Sequence, residues 1–214
     1  MFKTLVTFLL DRTGSMGSIK DQTIESFNAY IEELKKDDND TTGFTFIQFD
    51  NFETRTICCK EYLELVPTLT HENFQPRGLT NLIDAACEAI HTTEKYAERY
   101  PDAKVIVCIQ TDGHENASVE YTWEQLNDLV KEKYEKGWQF NFMGAGIDAY
   151  KQAHKMGISG SATVSYVGDD YKKSKVAFQS AASNTRAFAS GKTMSVDYSD
   201  AQKDAAGDQY RDKN

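Results

Sequence analysis

Asp11, Thr13 and Ser15 place one carboxylate and two hydroxyl groups at alternate positions, directly after a short apolar segment. Residues 5–10 are almost all apolar, which is typical of a strand buried in a parallel sheet. Gly14 allows a tight turn after that strand, and a helical pattern follows. Three oxygen-bearing side chains on one loop suit a small hard cation such as Mg²⁺. The loop is also expected beyond the carboxyl end of a strand, where open α/β sheets bind ligands.

Two later segments could complete such a site. Thr80 lies on a glycine-containing turn, directly before a helix that is expected to begin near Leu82. Asp112 follows a second buried strand, predicted over residues 105–111, and is followed by Gly113. Each of these residues alone is more often a helix cap or a turn former. Capping requires one such residue, however, whereas the first loop carries three, so the group as a whole favours a metal site.

These residues together resemble the metal-ion-dependent adhesion site of von Willebrand factor type A (VWA) domains. That pattern consists of Asp-x-Ser-x-Ser, a distant Thr and an Asp that ends a strand. Its counterparts in this sequence are Asp11, Thr13, Ser15, Thr80 and Asp112. The third position carries Thr where Ser is usual, which keeps the ligating oxygen and adds a methyl group. The resemblance covers roughly residues 1–190 and implies a site for Mg²⁺ or Mn²⁺.

The resemblance also implies a division of roles within the site. Ser15, Thr13 and sometimes Thr80 would bind the ion directly, while Asp11 and Asp112 would act largely through waters or hydrogen bonds. Neutral direct ligands leave the cation electrophilic, so it could accept an Asp or Glu of a partner protein as its remaining ligand. This predicts a metal-dependent protein-interaction module that is not an enzyme. Compact A domains also resemble partners of AAA-type ATPases, which would make this chain an adaptor to a larger assembly.

Two other functions stay open for the same residues. The first is a metal-dependent phosphohydrolase with an aspartate after its first strand. An enzyme of the haloacid dehalogenase type would need a second acid where this chain has Thr13, and a lysine with an acidic pair near the later strands, for which no motif is obvious. No Gly-x-Ser-x-Gly motif supports a serine hydrolase either. The second alternative is a structural subunit in which the metal site is incidental.

Neighbouring residues are expected to line the rim of the site. Arg12 and Met16 lie on the first loop, and His114 with Glu115 lies on the third, where these side chains could tune the choice of partner. The sequence Gly-Ala-Gly at 144–146 favours a strand-to-helix turn near the site, because neither a third glycine nor a Lys-Ser/Thr pair follows it.

The order of the apolar segments predicts the fold that would position this site. Strands and helices alternate, which favours an α/β fold with a doubly wound, mostly parallel sheet and helices on both faces. A hairpin turn is expected at Asp50-Asn51, so that residues 53–59 form one antiparallel edge strand. Residues 1–190 make up the predicted domain. Residues 191–214 contain few apolar side chains and are expected to form a polar, mobile C-terminal tail.

Composition and charge narrow the classes of function further. The chain has 214 residues and a formal net charge of −9, and its basic residues are scattered, which argues against a nucleic-acid surface. No apolar run reaches the length of a membrane span, and the first strand is too short for a signal peptide. Cys58 and Cys59 have no zinc spacing, and Cys87 and Cys108 are expected in the core. We therefore expect a reduced, cytoplasmic protein.

Overall fold

The computed structural model describes residues 1–36 and 41–211. Within these residues, one sheet contains the strands β1 (Thr4–Asp11), β2 (Thr42–Asp50), β3 (Glu53–Tyr62), β4 (Lys104–Thr111), β5 (Gln139–Ala145) and β6 (Thr163–Tyr166). Their order across the sheet is β3-β2-β1-β4-β5-β6. β2 and β3 are antiparallel, and every other neighbouring pair is parallel. The predicted α/β sheet with one antiparallel edge is confirmed.

Helices cover both faces of this sheet. They are α1 (Lys20–Lys35), α2 (Leu82–Ala97), α3 (Trp123–Glu135), α4 (Ala149–Met156), α5 (Tyr171–Ala189) and α6 (Asp200–Ala206). Short 3₁₀ helices span Gly14–Ile19, Leu63–Leu65 and Gly160–Ala162. α1 and α5 pack against each other on one face, whereas α2 packs against β1 on the other face, with α3 beside it.

β1 lies at the centre of the core, and all of its residues are buried. Its side chains alternate between the two faces of the sheet, as in any strand. The Phe8 ring packs 5.3 Å from the ring of Phe27 in α1 and 5.9 Å from that of Phe178 in α5. Thr7, on the opposite face, places its hydroxyl 2.7 Å from that of Thr93 in α2. The strand is therefore held from both sides, and its carboxyl end is a rigid support for the loop that follows.

The hairpin between β2 and β3 forms the edge nearest the first loop. Asp50 pairs with Glu53, so the hairpin is present and its turn consists of Asn51 and Phe52, one residue later than the predicted Asp50-Asn51. β3 continues to Tyr62, three residues beyond the predicted end. The hairpin turn lies at the same edge of the sheet as the carboxyl end of β1, because β1 and β2 are parallel.

The segment after residue 191 differs from the expected mobile tail. Val196 and Tyr198 are 0 % and 6 % exposed, and the Tyr198 hydroxyl donates a hydrogen bond of 2.6 Å to Asn141 Oδ1 on β5. α6 follows and begins with a capping box formed by Ser199 and Gln202. For the described residues up to 211 the expectation was wrong, because two buried side chains at alternate positions fasten an otherwise polar segment. Where the domain ends stays a prediction.

Two further features of the structure are the state of the cysteines and the length of the helices. Cys87 and Cys108 are buried, as expected, while Cys58 and Cys59 are half-buried, and all four thiols are free. Among residues 1–36 and 41–211, no helix is long and apolar enough to span a membrane.

Candidate metal centre

Asp11 is the last residue of β1, and its side chain is fully buried. Its Oδ1 accepts a hydrogen bond of 2.6 Å from the backbone N–H of Thr13. Its Oδ2 accepts one from the hydroxyl of Thr111, the last residue of β4. Because β1 and β4 are neighbours in the sheet, this contact joins their carboxyl ends. Asp11 therefore fixes the start of the first loop.

The hydroxyl groups of the first loop meet side chains from two other loops. Ser15 Oγ lies 3.2 Å from Thr13 Oγ1 and donates a hydrogen bond of 2.6 Å to Asp112 Oδ1. Thr80 Oγ1 donates to Thr13 Oγ1 at 3.3 Å. A continuous chain of polar contacts thus runs from Thr80 through Thr13 and Ser15 to Asp112. Together with Asp11, all the residues predicted from the sequence meet at one place on the carboxyl edge of the sheet.

The chemistry of this donor set fits a small hard cation. Two carboxylates and three hydroxyl groups supply oxygen atoms, which are the ligands that Mg²⁺ prefers. Gly113 keeps the space beside them open, because a Cβ atom there would lie 2.9 Å from Thr80 Oγ1 and 3.7 Å from Ser15 Oγ. In the part of the chain that the structure describes, no group of three or more His, Cys, Asp or Glu could hold a metal ion. A site at this edge would therefore depend on its hydroxyl ligands.

The electrostatics of the two carboxyl groups also suit a cation. Burial raises the pKa of Asp11 to about 7, although hydrogen bonds from Thr111 and Thr13 partly oppose it. Burial likewise raises the pKa of Asp112, against the hydrogen bond from Ser15. Within residues 1–36 and 41–211, the nearby arginines form ion pairs with other carboxylates instead. A divalent cation would offset the charge of both groups.

Arg12, which lies between two of the predicted ligands in the sequence, points away from them. Its side chain is buried, and its Nη2 contacts Asp50 Oδ2 at 2.6 Å and Glu53 Oε1 at 3.0 Å. Arg77 contacts the same two carboxylates at 2.8 and 2.9 Å. The expected position of Arg12 at the rim is therefore wrong, because neighbouring residues of an extended segment point to opposite sides. We refer to Arg12, Asp50, Glu53 and Arg77 as the ion network.

The ion network, together with backbone hydrogen bonds, holds two of the loops with candidate ligands together. The Arg77 N–H donates a backbone hydrogen bond of 2.9 Å to the Arg12 carbonyl, and the Gly14 N–H donates one of 3.1 Å to the Gly78 carbonyl. Thr80 follows Gly78 by two residues. These contacts place its hydroxyl beside the first loop, and they explain how residues distant in sequence form one site.

Asp50 is a positioning residue that the sequence analysis assigned only to a turn. Burial by itself would raise the pKa of Asp50, but hydrogen bonds from Arg77, from the Phe52 N–H and from Arg12 outweigh it, and the pKa is lowered. Asp50 lies 38 positions from Arg12 in the chain. No local pattern could have revealed the pair.

The other three residues expected at the rim lie in different environments. Met16 is fully buried within the 3₁₀ helix, so its expected exposure is wrong. Glu115 accepts hydrogen bonds from the backbone N–H groups of Ile83, Ala117 and Ser118, at 2.7–2.9 Å. It therefore caps the start of α2 and shapes the third loop. His114 is exposed on that loop, in agreement with the expectation.

A cavity of about 430 Å³ adjoins Asp112 at the same edge of the sheet. Gly146 lines it with a φ of +68°, in the predicted turn between β5 and α4. Residues 207, 209 and 210 line another side. Asp208 holds this part of the chain in place, because its Oδ2 accepts a hydrogen bond of 2.6 Å from the Tyr150 hydroxyl. The C-terminal segment therefore borders the candidate metal centre.

Comparison with known proteins identifies the fold. No family model matches this sequence, and no curated protein matches it. A von Willebrand factor type A structure from Catenulispora acidiphila matches 86 % of this chain and 43 % of its own, with a TM-score of 0.63 and 14 % identity. The chain has a VWA fold. The VWA domain of SpRpn10 matches 79 % of this chain and 94 % of its own, with a TM-score of 0.58 and 11 % identity.

The pilus adhesin SpaC from Lactobacillus rhamnosus GG also shares the VWA fold. It matches 86 % of this chain and 30 % of its own, with a TM-score of 0.62 and 10 % identity. This chain therefore spans less than half the length of the Catenulispora and Lactobacillus chains. At these identities the shared property is the fold. The predicted likeness to VWA domains is thus confirmed for the fold, while the bound metal stays a prediction.

Proposed function

We propose that this chain is a metal-dependent protein-interaction module in which a bound Mg²⁺ or Mn²⁺ accepts an acidic residue of a partner protein. One observation carries the proposal: two carboxylates and three hydroxyl groups from three loops form one connected set at the carboxyl edge of the sheet. The residues that would hold the ion are Asp11, Thr13, Ser15, Thr80 and Asp112.

The proposed roles follow from the contacts that each side chain makes. Thr13, Ser15 and Thr80 would offer neutral hydroxyl oxygens. Asp112 would orient the Ser15 hydroxyl by a hydrogen bond, and Asp11 would hold the loop through the backbone N–H of Thr13. A bound divalent ion supplies a Lewis-acidic position for a carboxylate ligand. Because the hydroxyl ligands carry no charge, the site keeps a strong attraction for an Asp or Glu of the partner. That residue would anchor the interface.

The burial and hydrogen bonding of Asp11 favour a protein-binding function over phosphohydrolase activity. A phosphohydrolase would use this side chain as its nucleophile, which must reach a substrate. Here the side chain is fully buried, and both oxygens accept hydrogen bonds from within the protein. The position two residues later carries Thr13 in place of a general acid. We therefore propose that the chain is not an enzyme.

The partner and the cellular setting belong to the same proposal. SpaC is a pilus adhesin, and a protein of this fold thus serves attachment. We propose that this chain acts in the same general way, as an adaptor in a larger assembly, with an AAA-type ATPase as one candidate partner. Its four free thiols support a reducing, cytoplasmic setting.

Calorimetric titration with Mg²⁺ and with Mn²⁺ tests the metal site. The wild type should bind one ion per chain, and Asp112→Ala should abolish the binding heat. Asp102→Ala is a matched control, because this exposed residue lies before β4, at the opposite edge of the sheet. It should bind as the wild type does. Equal titration curves for Asp112→Ala and the wild type would remove the metal from the proposal.

The interaction itself is tested by affinity capture in Mg²⁺ and again in EDTA, read by mass spectrometry. A true partner should be lost in EDTA and with Asp112→Ala, and also when one acidic residue on the partner is replaced. Capture that is equal in EDTA would contradict the proposal. So would hydrolysis of a phosphoester by the purified protein at a rate that Asp11→Asn eliminates.

A further inference from the structure

Two large apolar side chains are exposed beside the candidate metal centre. Phe52, in the turn between β2 and β3, is 68 % exposed, and Leu79, which directly precedes Thr80, is 54 % exposed. Asn51 joins the segments that carry them: its N–H donates to the Leu79 carbonyl at 3.0 Å, and its Oδ1 accepts from the Leu79 N–H at 2.6 Å. We refer to Phe52 and Leu79 as the apolar ridge.

The Phe52 ring is held in a fixed position although it faces solvent. Asp50 Oδ1 accepts a hydrogen bond of 2.8 Å from the Phe52 N–H. The Arg77 guanidinium carbon lies 5.2 Å from the centre of the Phe52 ring. The edge of that ring rests on Gly78, where a Cβ atom would come within 2.8 Å of it and where φ is +69°. Side chains that are already ordered lose little entropy when a partner binds them.

The ridge is also continuous with the proposed metal ligands. The Gly78 carbonyl, next to Leu79 in the chain, accepts the hydrogen bond from the N–H of Gly14. Gly14 lies between Thr13 and Ser15, the two hydroxyl ligands of the first loop. One backbone contact therefore separates the ridge from the metal loop. Residues that flank an acidic residue at the proposed metal would therefore lie on the same edge of the sheet as Phe52 and Leu79.

We propose that the apolar ridge binds a large apolar side chain next to the partner's acidic residue, so that the site selects an acidic–apolar pair. This inference rests on the proposed function and names its ligand more closely. The chain carries a net charge of −9, so further acidic residues beside the partner's acidic residue would be repelled at long range. Burial of apolar surface against Phe52 and Leu79 adds affinity that does not depend on charge.

Another exposed apolar residue shows why the ridge is distinct. Leu65 is 63 % exposed, but it follows β3 at the amino edge of the parallel strands, opposite the metal centre. Single exposed apolar residues of this kind are common and need no function. The ridge differs because hydrogen bonds of Asn51 join the segments of its two members, and because both follow or precede residues of the candidate site at the carboxyl edge of the sheet. Leu65 therefore serves as the control position.

A displayed peptide library tests the inference. Eleven-residue peptides with a fixed central Asp and randomised flanks would be selected on the full chain in Mg²⁺, with parallel selections in EDTA and with a fixed central Asn. The baits are the wild type, Phe52→Ser/Leu79→Ser, the single variant Leu79→Ser, the conservative variant Phe52→Leu and the control Leu65→Ser. Thermal melts confirm that each bait is folded, which we expect because the replaced side chains are exposed.

The wild type should enrich large apolar residues about tenfold at a position next to the Asp, in Mg²⁺ only. The double variant should still select Asp in Mg²⁺ but lose the flanking preference, and Leu79→Ser should weaken it. Phe52→Leu and Leu65→Ser should behave as the wild type does. Selection of Asp without a flanking preference, or an unchanged preference in the double variant, overturns the ridge inference and leaves the proposed function intact. Apolar selection that ignores both Asp and Mg²⁺ also overturns it. If Asp is never selected over Asn, the proposed function fails, and the inference fails with it.

Discussion

Replacing Val196 with Ala tests whether the C-terminal segment is packed on the domain. Val196 belongs to the hydrophobic core and is 0 % exposed, although it lies in the polar segment that precedes α6. Met194, two residues earlier, is 89 % exposed. The two positions belong to the same short segment and differ in burial. Met194→Ala is therefore the matched control.

The expected magnitude follows from the two methyl groups that the substitution removes. Each buried group of this size contributes about 0.8 kcal/mol, and incomplete collapse of the space left behind adds a further cost. The free energy of unfolding should therefore fall by about 2–3 kcal/mol. For a chain of this length, that corresponds to a decrease in melting temperature of about 4–12 °C. Met194→Ala should change it by no more than about 2 °C.

Differential scanning calorimetry in EDTA measures this difference without any contribution from bound metal. Tyr198→Phe provides a second reading, because it removes the donor to Asn141 Oδ1 and leaves that buried oxygen without its hydrogen bond. Its expected cost is about 1–2 kcal/mol. If Val196→Ala melts at the same temperature as Met194→Ala and the wild type, the segment does not pack as described. The packing described for residues 192–211 would then be refuted.

Saturating Mg²⁺ should raise the melting temperature of the wild type by about 5–10 °C at a hundredfold excess over Kd, and Thr80→Val should show less than half of that shift. An equal shift in both proteins would contradict the role of the Thr80 hydroxyl. Arg12→Met removes one of the cations that pair with the buried carboxylate of Asp50. In a urea titration, the free energy of unfolding should therefore fall by about 3 kcal/mol, whereas the exposed control Arg55→Met should leave it almost unchanged. Burial alone would raise the pKa of Asp50, but hydrogen bonds from Arg77 and Arg12 outweigh it and lower the pKa below 3.8. The stability that this group contributes is therefore complete above its unfolded-state pKa and is lost as the pH falls through its folded-state pKa. Asp50→Asn should make the fall in the free energy of unfolding below about pH 4 shallower. If the pH dependence of stability below about pH 4 is unchanged, the lowered pKa of Asp50 does not contribute to it.

The sheet could be predicted because its signals are local in the sequence. The apolar residues of β1 and the polar turn near Asn51 are each visible in a short window. The packing of the C-terminal segment has no such signal. It depends on Val196 and Tyr198, and Asn141, which accepts the Tyr198 hydrogen bond, lies 57 positions earlier. Composition alone therefore indicated a mobile tail where a few long-range contacts decide the outcome.

The candidate site shows the same division between local and long-range information. Asp11 and Asp112 could be placed because each follows an apolar strand, and parallel strands bring their carboxyl ends to one edge. The orientation of Arg12 could not be read from its position, since it depends on Asp50 from another strand. The exposure of Met16 was also misjudged, because a 3₁₀ helix over Gly14–Ile19 turns this side chain into the core.

Asp50 connects the two features on which the proposed interaction depends. Its Oδ2 accepts hydrogen bonds from Arg12 and Arg77, which fix the first loop and the loop before Thr80. Its Oδ1 accepts a hydrogen bond from the N–H of Phe52, which fixes the apolar ridge. A single buried carboxylate thus orients both the metal loops and the surface proposed to bind the partner's apolar side chain. Because both depend on the same anchor, we expect a change in the hairpin turn that displaces Asp50 to alter the proposed metal binding and the proposed partner selection together. We expect a change confined to the exposed ring of Phe52 to alter the proposed selection alone.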